Sequence, residues 1–132
     1  MARILADTSA VYALLDRHDG RHSQATSLLK HLQRRGDRPV LTNFLVAETY
    51  GLLLGRLGRA IAFRWLEANR WHVERVGEDD ESRAHQLLHR YEDQDLSYVD
   101  ATSFAVMDRL KIRTAFAFDD DFMTLGFDLV LL

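Results

Sequence analysis

Thr114-Ala115-Phe116-Ala117-Phe118-Asp119-Asp120-Asp121-Phe122 runs from a short apolar stretch straight into three consecutive carboxylates. Small and aromatic residues over 114–118 predict a buried strand, and such a strand must end in a turn. One aspartate would be ordinary turn chemistry. Three in a row, with no Lys or Arg within five residues on either side, repel one another unless a cation is near. The amino terminus has the same shape: a strand over 3–7 stops at Asp7, followed by Thr8-Ser9. Two strands ending in aspartate gather acid at one edge of a sheet.

Outward from these two stretches, the pattern alternates. A helix is expected over 9–16, then a polar loop through Asp19-Gly20 and a longer helix over 22–35, where Ala25, Leu28, Leu29 and Leu32 have helical spacing. The single proline, Pro39, follows Gly36-Asp37-Arg38 and marks a break before a strand at 39–42. Helices follow over 43–55 and 57–69, with Gly55 and Gly58 at their junction, then a strand over 71–76. Helices over 79–92 and 98–110 precede the strand at 114–118, and a last strand is expected at 127–131. This order predicts one α/β domain over 1–132, with a mainly parallel sheet of about four to five strands and helices on both faces. Ligands of such sheets bind at the carboxyl ends of the strands, where Asp7 and Asp119 would sit.

Composition narrows the chemistry. The chain has 132 residues, 47% hydrophobic and 28% charged, which is ordinary for a globular protein. It has no cysteine, so a disulfide framework and a thiolate metal site are excluded. The first residues lack the long apolar region of a signal peptide, and no run approaches the roughly 20 apolar residues of a membrane span. A cytoplasmic protein without a membrane partner is expected. Charge is uneven: residues 1–64 carry a balance of +5 and residues 65–132 one of −8, recovering the net −3. Fifteen of the seventeen basic residues are Arg, the side chain suited to bidentate phosphate contacts.

Two further acids interrupt apolar helix faces. Glu48 shares a stripe with Phe44 and Leu52, four residues to either side, so it points toward the core or lies at the stripe's edge, within reach of solvent or Arg56. A carboxylate inside must be paired, protonated or bound to metal. Asp100 has two readings. Ser97-x-x-Asp100 has the spacing of a capping box, which needs no function. Asp100, Phe104 and Met107 also share one helix face, which turns the acid inward.

Taken together, Asp7-Thr8-Ser9, Glu48 in Thr42-Asn43-Phe44-Leu45-Val46-Ala47-Glu48, Asp100 in Leu96-Ser97-Tyr98-Val99-Asp100-Ala101, and Asp119 in Phe118-Asp119-Asp120-Asp121-Phe122 resemble the ordered acidic motifs of the PIN-domain ribonucleases. The likeness is greatest to VapC-type toxins of toxin–antitoxin pairs, and it runs from Arg3 to Leu131. Asp19-Gly20-Arg21-His22 and Leu54-Gly55-Arg56-Leu57-Gly58-Arg59-Ala60 also resemble members of that family. There is one departure. The family often carries a basic residue after the fourth acid, where this chain has Asp120 and Asp121, so Asp121 competes with Asp119 for the fourth place.

The resemblance implies a PIN-like three-layer fold and a metal-dependent endoribonuclease, with Asp7, Glu48, Asp100 and Asp119 as catalytic, metal-holding acids and Asp121 as a further ligand. Mg²⁺ or Mn²⁺ is the expected cofactor, since both prefer oxygen donors. The expected partners are an RNA substrate, a cognate antitoxin and a second copy of the chain. The antitoxin would cover apolar surface near Tyr12–Leu15 and Leu52–Trp65 and insert an Arg or Lys toward the acids. Thr8, or Ser9, could orient a ligand or simply cap the first helix. Arg17, Arg21, Arg56, Arg59 and Arg113 are candidates to frame an acidic cleft against phosphate repulsion, with Arg21 and Arg113 foremost as substrate contacts. A non-catalytic PIN-fold module that binds RNA or protein is the alternative. A phosphoaspartate switch would need a Lys at a strand end, and neither Lys30 nor Lys111 is there. His85 and His89 share a helix face without a third ligand, and Trp65, Trp71, Phe63 and Phe104 fit a core.

Overall fold

The computed structural model describes residues 1–131. Five strands form one parallel sheet: β1 (Arg3–Ala6), β2 (Arg38–Thr42), β3 (His72–Glu74), β4 (Thr114–Phe116) and β5 (Asp128–Leu129), in the order β3-β2-β1-β4-β5. Helices α1 (Thr8–Leu15) and α2 (His22–Arg35) join β1 to β2. Helices α3 (Asn43–Leu57) and α4 (Arg59–Ala68) join β2 to β3, and α5 (Glu78–Arg90) and α6 (Tyr98–Leu110) lead to β4. A short α7 (Asp121–Thr124) precedes β5. The expected α/β class is what the chain forms, in three layers.

Topology sets the site. The chain steps outward from β1 through β2 to β3, then crosses back to β4 on the far side of β1. Right-handed crossovers in opposite directions put their helices on opposite faces and open a crevice beyond the carboxyl ends of the strands where the direction reverses. That point lies between β1 and β4. The Asp7 N–H donates to the Phe116 carbonyl at 3.0 Å, so the first strand-end acid is tied to the neighbouring strand.

A parallel sheet covered on both faces needs apolar side chains in both directions. Ile4, Leu5 and Ala6 of β1 are all buried, as are Val40 and Leu41 of β2. Ala25, Leu28 and Leu32 of α2 pack on this core, as their spacing predicts. Phe104 of α6 meets Phe122 edge-on at 4.9 Å between ring centroids and lies nearly parallel to Phe127 at 5.8 Å.

Several boundaries differ from the sequence expectation. Helix α3 runs through Gly55 to Leu57, and the break falls at Gly58, whose φ of 91° is open to glycine without strain. Strand β3 is three residues where 71–76 was expected, and β5 is two where 127–131 was expected. Both lie at the ends of the sheet, where only one neighbour holds the strand. Strand β4 ends at Phe116, and the acidic stretch read as a turn becomes helical at Asp121 because Phe122 is drawn fully into the core.

Candidate active site

Asp7 is positioned by two elements at once. It leaves β1 in extended conformation and caps α1, its carboxylate accepting the Ser9 backbone N–H at 3.2 Å. The Ser9 hydroxyl donates to Asp7 Oδ2 at 2.7 Å and accepts the Phe118 N–H at 3.1 Å. Ser9 thus joins the end of β4 to the first acid. Thr8, the other hydroxyl the sequence offered, is bonded within the protein: its Oγ1 lies 3.0 Å from Thr49 Oγ1, both residues buried. This bond fixes α3 against α1 beneath the cleft.

Glu48 sits on α3 beside Thr49. The core-facing row of that helix is Leu45, Thr49 and Leu53, while Phe44, Glu48 and Leu52 are half-buried one position round. Glu48 therefore occupies the shoulder of the helix, at the mouth of the cleft rather than in the core. Asp100 combines both of its sequence readings. Its N–H is capped by Ser97 Oγ at 3.0 Å, and Phe104, one turn on, is wholly buried, which turns the Asp100 side chain down toward the strand ends. Asp119 follows β4, and its Oδ1 accepts the Asp121 N–H at 2.9 Å. Because Phe104 and Phe122 are in contact, α6 and α7 bring Asp100 and Asp121 together. Carboxylate oxygens of Asp100, Asp119 and Asp121 all lie within 4.8 Å of one another. Asp120, between them, is exposed.

Asp7, Glu48, Asp100 and Asp119 line one open cleft of about 410 Å³, with Thr8, Ser9, Ser97, Tyr12 and Leu52. Asp19 also lines it, a residue the sequence placed in a loop and in a family-like stretch but did not name as a site residue. Its Oδ1 accepts the Arg21 N–H at 2.8 Å, the local turn that puts both residues on the rim. Arg21 and Arg56 supply the positive edge, their guanidinium groups 5.0 Å and 5.1 Å from the rings of Phe118 and Tyr12. Arg113 is not part of this cleft. It precedes β4, whereas the cleft lies beyond the end of that strand.

Burial, reinforced by neighbouring charge, raises the pKa of Asp7, Asp100 and Asp121. Burial lifts Asp7, opposed by its bonds from Ser9 and reinforced by the charges of Glu48 and Asp119. Burial, then Asp7 and Asp119, push Asp100 up to about 6. Burial and Asp119 raise Asp121. An all-carboxylate donor set of this kind fits a hard divalent cation, whose charge offsets the cost of keeping Asp7, Asp100 and Asp121 ionised.

A PIN-domain sequence profile matches residues 4–128. The chain belongs to the PIN-domain family. Two relatives from Mycobacterium tuberculosis place this PIN domain more finely. The 23S rRNA-specific endonuclease VapC20 is 40% identical over 130 residues, covering 94% of this chain and 95% of its own. Ribonuclease VapC26 is 25% identical over 119 residues, covering 88% and 86%. The crystal structure of VapC20, described as a sarcin–ricin loop cleaving toxin, superposes with a TM-score of 0.82 at 36% identity, over 94% of this chain and 95% of that one.

Proposed function

We propose that this PIN domain is a Mg²⁺- or Mn²⁺-dependent endoribonuclease, the toxin of a toxin–antitoxin pair acting in the cytoplasm. The observation that carries the reading is the convergence of Asp7, Glu48, Asp100 and Asp119 in one cleft, with Asp121 beside them. Asp100, Asp119 and Asp121 would hold a cation between them, and Asp7 and Glu48 complete the acidic wall. When bound, a divalent cation supplies Lewis-acid activation of an attacking water and of the phosphodiester. Ser9 holds Asp7 in one orientation. Arg21 and Arg56 bring backbone phosphates to an otherwise repelling cleft, so binding should weaken with salt. The products carry 5′-phosphate and 3′-hydroxyl ends.

The likeness to VapC20, a 23S rRNA-specific endonuclease and sarcin–ricin loop cleaving toxin, supports a structured ribosomal RNA loop as substrate. The antitoxin fits the apolar groove lined by Val11, Leu14, Leu29, Trp65 and Trp71, beyond α1 from the cleft, and a homodimer accords with exposed Leu54, Phe63 and Leu66. No helix among the described residues is long and apolar enough to cross a membrane.

The test is cleavage of purified 23S rRNA in Mg²⁺, in EDTA and by Asp7→Asn. Cutting in Mg²⁺ alone, lowered at least a thousandfold in the variant, is the expected result (about 4 kcal/mol of barrier). Equal cutting by both proteins would sink the reading, and metal-free RNA binding without any cutting would favour the non-catalytic module.

A further inference from the structure

The opposite edge of the sheet is rich in arginine, with Asp128 opening β5 at its far end, where its N–H donates to the Arg113 carbonyl at 2.9 Å. Arg3 opens β1, Arg38 opens β2 and His72 opens β3, while Arg113 stands immediately before β4. Arg3 and Arg38 are register partners. Leu5 pairs with Ala115 and Val40 with His72, so two residues back along each ladder Arg113 falls beside Arg3 and Arg70 beside Arg38. Arg3 and Arg38 are paired across the sheet, and Arg70 and Arg113, just ahead of β3 and β4, continue the row: Arg70, Arg38, Arg3, Arg113. With strands about 4.8 Å apart, the row extends about 14 Å.

Arg3, Arg38, Arg70 and His72 line a common cleft of about 550 Å³ with Trp71 as part of its wall. The acid there, Asp37, is already engaged by the Ala2 N–H at 2.9 Å and Arg35 Nε at 3.1 Å. Arg3 uses one guanidinium nitrogen on the Leu110 carbonyl, and Arg70 one on the carbonyls of Glu67 and Asn69, leaving the rest of each fork free. Arg38 has no side-chain hydrogen bond or ion pair among the described residues. His72 is held by Glu74 at 2.9 Å, whose charge is also met by Arg109. Planar, weakly hydrated guanidinium forks at this spacing suit the successive phosphates of a nucleic-acid strand.

We propose that this row is a second RNA-binding surface, which grips backbone phosphates of the substrate at the edge of the sheet opposite the acidic cleft. The choice of RNA as the polyanion rests on the ribonuclease reading; the row itself does not. Strands β1 and β2 are four and five residues long. The two edges are therefore about 15 Å apart, and a folded RNA reaches both while a short oligonucleotide in the acidic cleft does not.

The experiment is fluorescence anisotropy with a labelled RNA hairpin in EDTA, where no cutting intervenes, on wild type, Arg38→Ala/Arg70→Ala and Asp7→Asn across a salt series. The double variant should bind about tenfold more weakly and flatten the salt slope by about 1.5, for two lost phosphate contacts. Asp7→Asn, which removes a repelling charge from the acidic cleft, should bind at least as tightly as wild type, and the double variant should cut a short oligonucleotide normally while cutting the folded RNA less efficiently. Unchanged affinity and slope in a double variant that keeps its melting temperature would overturn the proposal, as would wild type that fails to bind RNA in EDTA. Loss of cutting in Asp7→Asn bears on the nuclease reading alone, so the two fail separately.

Discussion

Ser9 does more for the cleft than its place after Asp7-Thr8 indicates. Its hydroxyl donates to Asp7 and accepts from Phe118, so one side chain sets the distance between the first and last acidic motifs. Ser9→Ala leaves the Phe118 N–H without that partner and removes a bond that holds the Asp7 pKa down. The expected cost is about 1–2 kcal/mol of stability. RNA cleavage should fall at least tenfold, with its pH optimum moved upward, and Ser9→Thr, which keeps the hydroxyl, should restore much of both. An alanine variant with wild-type rate and pH profile would rule out this positioning role. At this scale the sequence was informative about residue type and less so about direction. Asp100 was legible because Phe104 lies one turn away. Glu48 was open to the core stripe or its edge, and the edge is where it lies, because the buried row is Leu45, Thr49 and Leu53 and α3 must face both core and cleft.

At the scale of elements, two contacts hold the acid-bearing segments in place, and neither can be read from local pattern. Helix α7 is four residues long, too short to show periodicity, and exists because Phe122 packs on Phe104. Phe122→Leu should cost about 1–2 kcal/mol. It should also loosen Asp119 and Asp121 against Asp100, so activity should drop further than the melting temperature implies and Mg²⁺ affinity should weaken. Calorimetric titration checks the second effect; unchanged affinity would separate α7 from the cation site. Arg109 of α6 reaches Asp80 of α5 at 2.8 Å and 3.0 Å and Glu74 of β3 at 2.9 Å. Asp80 also accepts the Gly77 N–H at 3.0 Å, and its pKa is lowered chiefly by Arg109. The partners are 29 and 35 residues from Arg109, and so invisible to any helical spacing rule. Arg109→Ala strands a nearly buried carboxylate and should destabilise by about 2–3 kcal/mol, seen in urea unfolding. A loss within error would mean the Asp80 carboxylate finds water instead.

For the whole molecule, the organising fact is how charge lies along the strands. The cleft acids gather beyond their carboxyl ends, while arginines cluster at the amino ends of β1 and β2 and just before β3 and β4, with Asp37 and Asp128 among them. The sequence showed the sorting only as an excess of +5 in one half and −8 in the other, because both halves contribute acids to the cleft and register, not sequence distance, aligns the arginines. The acidic end carries an energetic cost that depends on pH. The raised pKa values of Asp7 and Asp121, and that of Asp100 at about 6, mean that the folded chain holds protons that the unfolded chain has released above its ordinary carboxyl range. The folded state is then the better proton binder between about pH 4 and 6, so the metal-free protein loses stability as pH rises through that window. The lowered pKa of Asp80 acts oppositely, but its contribution is complete once its unfolded carboxyl has ionised, near pH 4. Melting temperature in EDTA should therefore fall from about pH 5 to about pH 7. Mg²⁺, which binds the ionised carboxylates, should raise it more at the higher pH. Asp100→Asn should flatten the dependence in EDTA and shrink the Mg²⁺ shift. An identical Mg²⁺ shift at both pH values would mean that the clustered acids do not share the cation, and that the strand-end carboxylates stay charged in the fold without help.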